Sequence, residues 1–270
     1  MIVLLKNMEF FDNALKSIYK RFNQFVNFLE KIASIKRIKK IEQFMEKINS
    51  SALIISSIMI IVVGLATYAR MQYFGWILPF AIFGPIVFLF IAYLANDFHG
   101  ACSDLIDSNQ TTISNYAILK LGAILSLFLS ALLFVAGIVA IFNGSLSGTI
   151  YPLLFSLLLF ISAGTQFNPS LLNIEITKQS TSGEDFIAIF SLNLKSMVFF
   201  EKIISTILIV LGNVYLLANL FAHEMEFFMY GIGFLSAGIA YPIIIYILFT
   251  VLWFFNSLFL GILSLGRGKK

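Results

Sequence analysis

Residues 227–266 form a run of forty without a single charged side chain. A helix rises about 1.5 Å per residue, so roughly 20 apolar residues cross the ~30 Å hydrocarbon core of a bilayer. Five more uncharged runs reach that scale: 52–68, 76–96, 117–142 (interrupted only by Lys120), 148–164 and 203–222. The chain is 59% hydrophobic and 12% charged, against about 25% charged in a soluble domain. A water-soluble core of this size does not hide that much apolar surface. The composition therefore excludes a soluble enzyme, a disulfide scaffold, a nucleic-acid-binding domain and a disordered tail. Cys102 is the only cysteine and has no partner within the chain for a disulfide.

The long run is read as one span over 240–264 with a re-entrant or kinked start, because Gly231, Gly233, Gly238 and Tyr241-Pro242 disfavour a straight helix before it. Six spans also fit the charge. An even count places the tail 267–270, with Arg267, Lys269 and Lys270, on the same side as the basic N-terminal residues, as the positive-inside bias requires. The expected topology is N-in and C-in, in the cell (inner or plasma) membrane. Arg70 then falls on the outer side.

The net charge of +4 is unevenly placed. Residues 1–47 hold ten of the eighteen Lys/Arg and five of the fourteen Asp/Glu. Met8, Phe11, Leu15, Ile18, Phe22, Phe25, Leu29 and Ile32 repeat at helical spacing, and after a slip Ile35, Ile38, Ile41 and Met45 continue the pattern. Lys16, Lys20, Arg21 and Lys31 fall off the stripe. Three phenylalanines on the stripe fit a coiled-coil seam poorly and suit a helix lying in the headgroup layer, with aromatic residues below and cations above. Those four cations are the candidate lipid-surface positions. Packing on the protein's own loops and an oligomerising coil are the alternatives. Residues 1–5 are too short for a signal-peptide core, so the arm is expected to stay on the mature protein.

No Asp, Glu or His lies inside the six spans. Proton relays, ion-coupled carriers and voltage sensors generally need ionisable groups at that depth, so those mechanisms are disfavoured. No HExxH, buried aspartate pair, serine–histidine pair or phosphate-binding glycine pattern is present, and no cofactor is expected. Asp97, His99, Cys102 and Asp104 cluster at the inner end of the second span, but no second His/Cys pair completes a metal site.

Two inner connections have size, 97–116 and 165–201. Asn168-Pro169 marks a turn. Ser182 and Asp185 stand at capping-box spacing ahead of an amphipathic helix, whose Phe186, Phe190 and Met197 are candidate positions for docking a cytoplasmic partner, although a surface helix packed on the bundle is the simpler reading. Asn213 and Asn219 in the fifth span, Ser130 in the third and Asn256 in the sixth are polar groups that lipid cannot satisfy. Asn213, Asn219 and Ser130 are the candidate lining of any polar path, although an interhelical hydrogen bond is the simpler use for each. Gly122, Ser126 and Ser130, and again Gly233 and Ala237, form small-residue ladders suited to close helix packing, and Gly238 also gives close backbone approach beside the second.

The fold class expected is an all-α integral membrane protein: a six-span helical bundle (50–266) with an N-terminal basic amphipathic interfacial helix region (1–49). The expected role is a non-catalytic, permease-like or pore-forming subunit of a larger membrane assembly. The alternative is a membrane scaffold or assembly factor that anchors cytoplasmic partners or anionic lipid. Membrane lipid, an inner-loop partner and an oligomeric state are the expected associations, and nucleic acid is not.

Overall fold

A computed structural model describes residues 16–17, 20–21, 23–70, 75–108, 111–114, 116–143, 146–177 and 182–267. The described elements in chain order are α1 (23–32), α2 (Ile35–Arg70), α3 (Ile77–Ser108), β1 (Thr111–Ile113), α4 (Tyr116–Phe142), α5 (Leu146–Phe167), a 3-10 turn (Pro169–Leu172), β2 (Ile174–Ile176), α6 (Ser182–Ala222) and α7 (Met225–Arg267). The described residues are about 92% helical, and six helices among them are long and apolar enough to cross a membrane, compatible with an all-α bundle. The first part of the predicted arm stripe, from Met8 to Leu15, with Ile18 and Phe22, lies outside the described residues.

The chain divides into two compact units. The first, 1–38 with 115–171, is built on the α4–α5 hairpin. Ser130 Oγ donates to the Ser156 carbonyl and Ser156 Oγ to the Ser130 carbonyl, each at 2.8 Å. This reciprocal pair satisfies two hydroxyls that lipid would leave bare. Gly137 seats Leu153, and Gly122 faces the Gln166 side chain, so the small-residue ladder serves packing within the chain. Val26 and Ala33 complete a core with Ala123, Leu127, Ala163 and Phe167, and Ile38 lies over Gly164. Lys120 pairs with Glu30 at 3.1 Å, and Asn168 donates to the Ala33 carbonyl at 2.9 Å.

The buried face of α1 is offset from the predicted stripe. Val26 is buried, whereas the stripe's Phe25 and its neighbour Phe28 are more than half exposed. Val26 packs with the alanines at 33, 123 and 163 and with Phe167, while Phe25 and Phe28 turn outward. Lys16, Lys20, Arg21 and Lys31 are exposed as well.

The second unit, 39–114 with 172–270, is organised by the antiparallel α6–α7 hairpin. Glycines set its closest approaches. Gly212 faces Leu235, Gly231 faces Leu216, and Gly238 faces Ile209. The same register continues to Asn256, whose Nδ2 donates to Ser191 Oγ at 2.8 Å. Residues 225–244 therefore run beside 203–222, and the later part of α7 runs beside the start of α6. The glycines predicted to break a helix are what lets this one pack, and α7 continues through Pro242 as one helix. Gly233 and Ala237, expected in the packing ladder, are exposed, and nothing lies within 4 Å of a Cβ built at Gly233. Gly238, expected to give close approach, does so, and Gly231 joins it.

The predicted inner connections are mostly helix. α3 continues to Ser108, and α6 is already formed from Ser182. At roughly 1.5 Å per residue, α6 and α7 each exceed 60 Å, about twice a hydrocarbon core. Two hydrophobic cores divide that length. Ile60, Val63, Ile77, Ile209, Leu216 and Phe228 anchor the first. Cys102, Ile106, Leu194, Val198, Ile245 and Phe249 form the second, where the helical extensions meet.

Candidate functional site at the end of the apolar belt

The second unit concentrates its polar chemistry where the uncharged runs of α2, α3 and α6 stop. Two structures are built there. One is a knot of buried polar groups, and the other is a groove.

The knot is centred on Lys195, a side chain with no exposed surface. Its Nζ donates to Thr111 Oγ1 and to the Asn173 carbonyl, each at 3.2 Å, and lies 5.7 Å from the Trp253 ring centroid. A buried ammonium requires such compensation, and the aromatic face adds cation–π attraction. Asn173 holds the opposite side. Its φ of 52° is left-handed, a region asparagine tolerates better than most residues. Its Nδ2 donates to the Asp107 carbonyl at 2.7 Å and the Ile106 carbonyl at 3.3 Å, which satisfies carbonyls at the end of α3. Its carbonyl also accepts from the Thr111 amide, leading into the parallel pairing of β1 with β2. Asp185 accepts from the Ser114 amide at 2.7 Å and from the Ser114 hydroxyl. Asp185 thus ties the start of α6 to the chain after β1, while the Ser182 side chain of the expected capping box lies outside the described residues.

The groove lies among α2, α3, α6 and α7 and encloses about 420 Å³. Asn49, Ser50, Asn96, His99, Glu201 and Lys202 line its polar part, and Leu53, Leu89, Ala92, Ile209 and Ile239 its apolar part. Glu201 is 2% exposed and pairs with His99 Nδ1. Lys202 donates to Glu46 at 3.0 Å. Asn49 Oδ1 is buried without a hydrogen-bond partner. His99 and Cys102, one turn apart, diverge: the imidazole meets Glu201, while the thiol enters the second hydrophobic core.

The polar positions singled out from sequence are engaged in packing. Asn213 Nδ2 donates to Ser56 Oγ at 2.8 Å and to the Ala52 carbonyl at 3.2 Å, joining α6 to α2. Asn219 accepts from Thr67 at 3.0 Å and donates to the Glu224 carbonyl at 2.6 Å. Ser130 belongs to the α4–α5 pair in the other unit. Of the predicted docking positions, Phe186 is 73% exposed, Phe190 is at the edge of exposure, and Met197 packs on the second core. Lys195, Asn173 and Glu201 escaped sequence reasoning. Lys195 and Glu201 read as ordinary charges outside a span, and Asn173 stands in no recognisable turn pattern.

At the opposite end of the unit, His223, the residue after α6, has a φ of 61° and meets Arg70.

The fold and site define a helical protein with six potential membrane spans and a consolidated polar boundary. No protein-family model matches the chain, and comparisons with curated proteins and with solved structures return no match.

Proposed function

We propose that the protein is a non-catalytic membrane scaffold, a subunit that anchors a partner through helical extensions standing at the end of its apolar belt. One observation carries this reading. The later part of α7, which this reading sets beyond the belt, presents Ile247, Val251, Phe254, Phe255, Leu258 and Phe259 to the exterior, all between 47% and 62% exposed, while its other face is fixed by Phe249, Trp253 and Asn256. Phe186 and Phe190 of α6 are exposed as well. An apolar face held rigidly by a buried polar knot is suited to docking another apolar surface.

In this reading the basic end of the unit faces the cytoplasm of the cell membrane, N-in and C-in. Lys39, Lys40, Lys47 and Lys202 mark that end, and Arg70 the other. The exposed Phe25, Phe28 and Lys31 suit an interfacial role for the arm. Partner identity is tested by purifying the protein gently from its native membrane. A second protein of fixed stoichiometry is expected, and paired Phe254→Ser and Phe259→Ser substitutions should release it while α7 stays folded. Recovery of the chain alone would remove the proposal.

The permease-like or pore-forming role stands as a second reading. It is favoured by Asn213, whose Oδ1 is buried without a partner beside a cavity of about 560 Å³ between α2 and α6. Solute flux in proteoliposomes that Asn213→Leu abolishes without lowering thermal stability would support it.

A further inference from the structure

We infer that the groove among α2, α3, α6 and α7 is a binding site for one phospholipid carrying a primary-amine headgroup. The inference does not rest on the docking role, because it concerns a different face and a different occupant.

The first argument is placement. Asn49 and Ser50 sit just before the uncharged run of α2, Asn96 closes that of α3, and Glu201 and Lys202 immediately precede that of α6. The groove's apolar wall, with Leu53, Leu89, Ala92 and Ile209, continues into those runs. A polar mouth at the boundary and an apolar trough beneath it match an amphiphile lying along the helices. A solute that passes through would need polar lining further along. The trough is reached from the side. Ile54, Leu89 and Tyr93 line it and are all substantially exposed, so an acyl chain enters between α2 and α3 from surrounding lipid.

The second argument is charge complementarity. The mouth holds a cation, Lys202, and a carboxylate, Glu201, that is almost wholly buried. It also holds a buried acceptor, Asn49 Oδ1, with no donor. A buried acceptor without a donor is costly and uncommon. An ammonium headgroup supplies that donor and also suits Glu201, since a carboxylate accepts more than the one bond it makes to His99. The adjoining phosphate suits Lys202, whose ammonium has three donors and uses one on Glu46. A phosphoglycerol headgroup supplies the phosphate but no cation for Glu201. A choline headgroup carries a cation with no N–H for Asn49. Only a headgroup with both charges and a donating nitrogen satisfies all three residues.

Native mass spectrometry of the full-length protein in detergent tests this directly, with equal amounts of dioleoyl phosphatidylethanolamine, phosphatidylglycerol and phosphatidylcholine. One phosphatidylethanolamine should be retained in at least threefold preference over either competitor. Glu201→Gln should reduce that preference at least threefold. Asn49→Leu tests the same mouth without altering charge, and should do likewise should the Glu201 variant fail to fold. Leu89→Trp, at an exposed lining position, should lower retention of the bound lipid. Equal retention of the three lipids, preference for phosphatidylglycerol, or a phosphatidylethanolamine adduct indifferent to Leu89→Trp would each overturn the proposal.

Discussion

Gly238 and Gly233 lie on one helix, five residues apart, yet a methyl group means opposite things at the two sites. A Cβ at Gly238 would sit 2.7 Å from Ile209 Cγ1 and 3.1 Å from both the Ile209 amide nitrogen and the Ser205 carbonyl oxygen. Two of those atoms are backbone, so the helices must separate, at a cost of about 1–3 kcal/mol. At Gly233 nothing is near, and alanine should instead favour the helix by up to about 1 kcal/mol. Thermal unfolding in detergent should rank Gly233→Ala at or above the parent and Gly238→Ala clearly below it. Asn173 allows a second test at this scale. Asn173→Gly keeps the left-handed backbone and loses two side-chain bonds, whereas Asn173→Val also strains the backbone by about 1–3 kcal/mol. The valine variant should unfold at the lower temperature. Sequence reading identified the small residues as packing elements but not which faces they occupy. Gly231 and Gly233 are equally glycine, and only the register of α6 against α7 separates them.

At the scale of elements, the helices were legible because long uncharged runs leave the backbone no alternative partner in lipid. Their full lengths were not. Charges at Asp97, Asp104, Lys195 and Glu201 mark the ends of apolar runs, and a charge says nothing about whether the helix also stops. The two strands are three residues each, too short for any alternation to show. They depend on long-range pairing with Asn173 and Lys195. Replacing Lys195 with alanine should therefore act on these elements first. Hydrogen exchange should rise at 111–113 and 174–176 while the amides of 209–220 keep their protection, and a uniform rise along α6 would refute so local a role. For the arm, a spin label at Phe28→Cys in a Cys102→Ala background reports depth in nanodiscs. The interfacial reading expects headgroup-level immersion that deepens with anionic lipid, because Lys31 and Arg21 are exposed nearby.

For the whole molecule, charge distribution proved more informative than charge content. It indicated six apolar runs of membrane-spanning length, matched by six helices long and apolar enough to cross a membrane, but not that α6 and α7 run on together as an antiparallel pair as far as Ser191 and Asn256. That pairing moves the stretch of α7 beside 203–222 to residues 225–244, earlier than the span expected at 240–264. In the proposed reading the Phe254–Phe259 face then projects beyond the belt. The central claim is that protein, not lipid, covers this face. Site-specific photocrosslinking in intact native membranes tests it most directly, with the reactive group at Phe254 or Phe259 and a comparison site at Phe90, which is 62% exposed within the uncharged run of α3. The account predicts a discrete protein adduct at 254 and 259 and lipid adducts at 90. Lipid adducts alone at all three positions would contradict it.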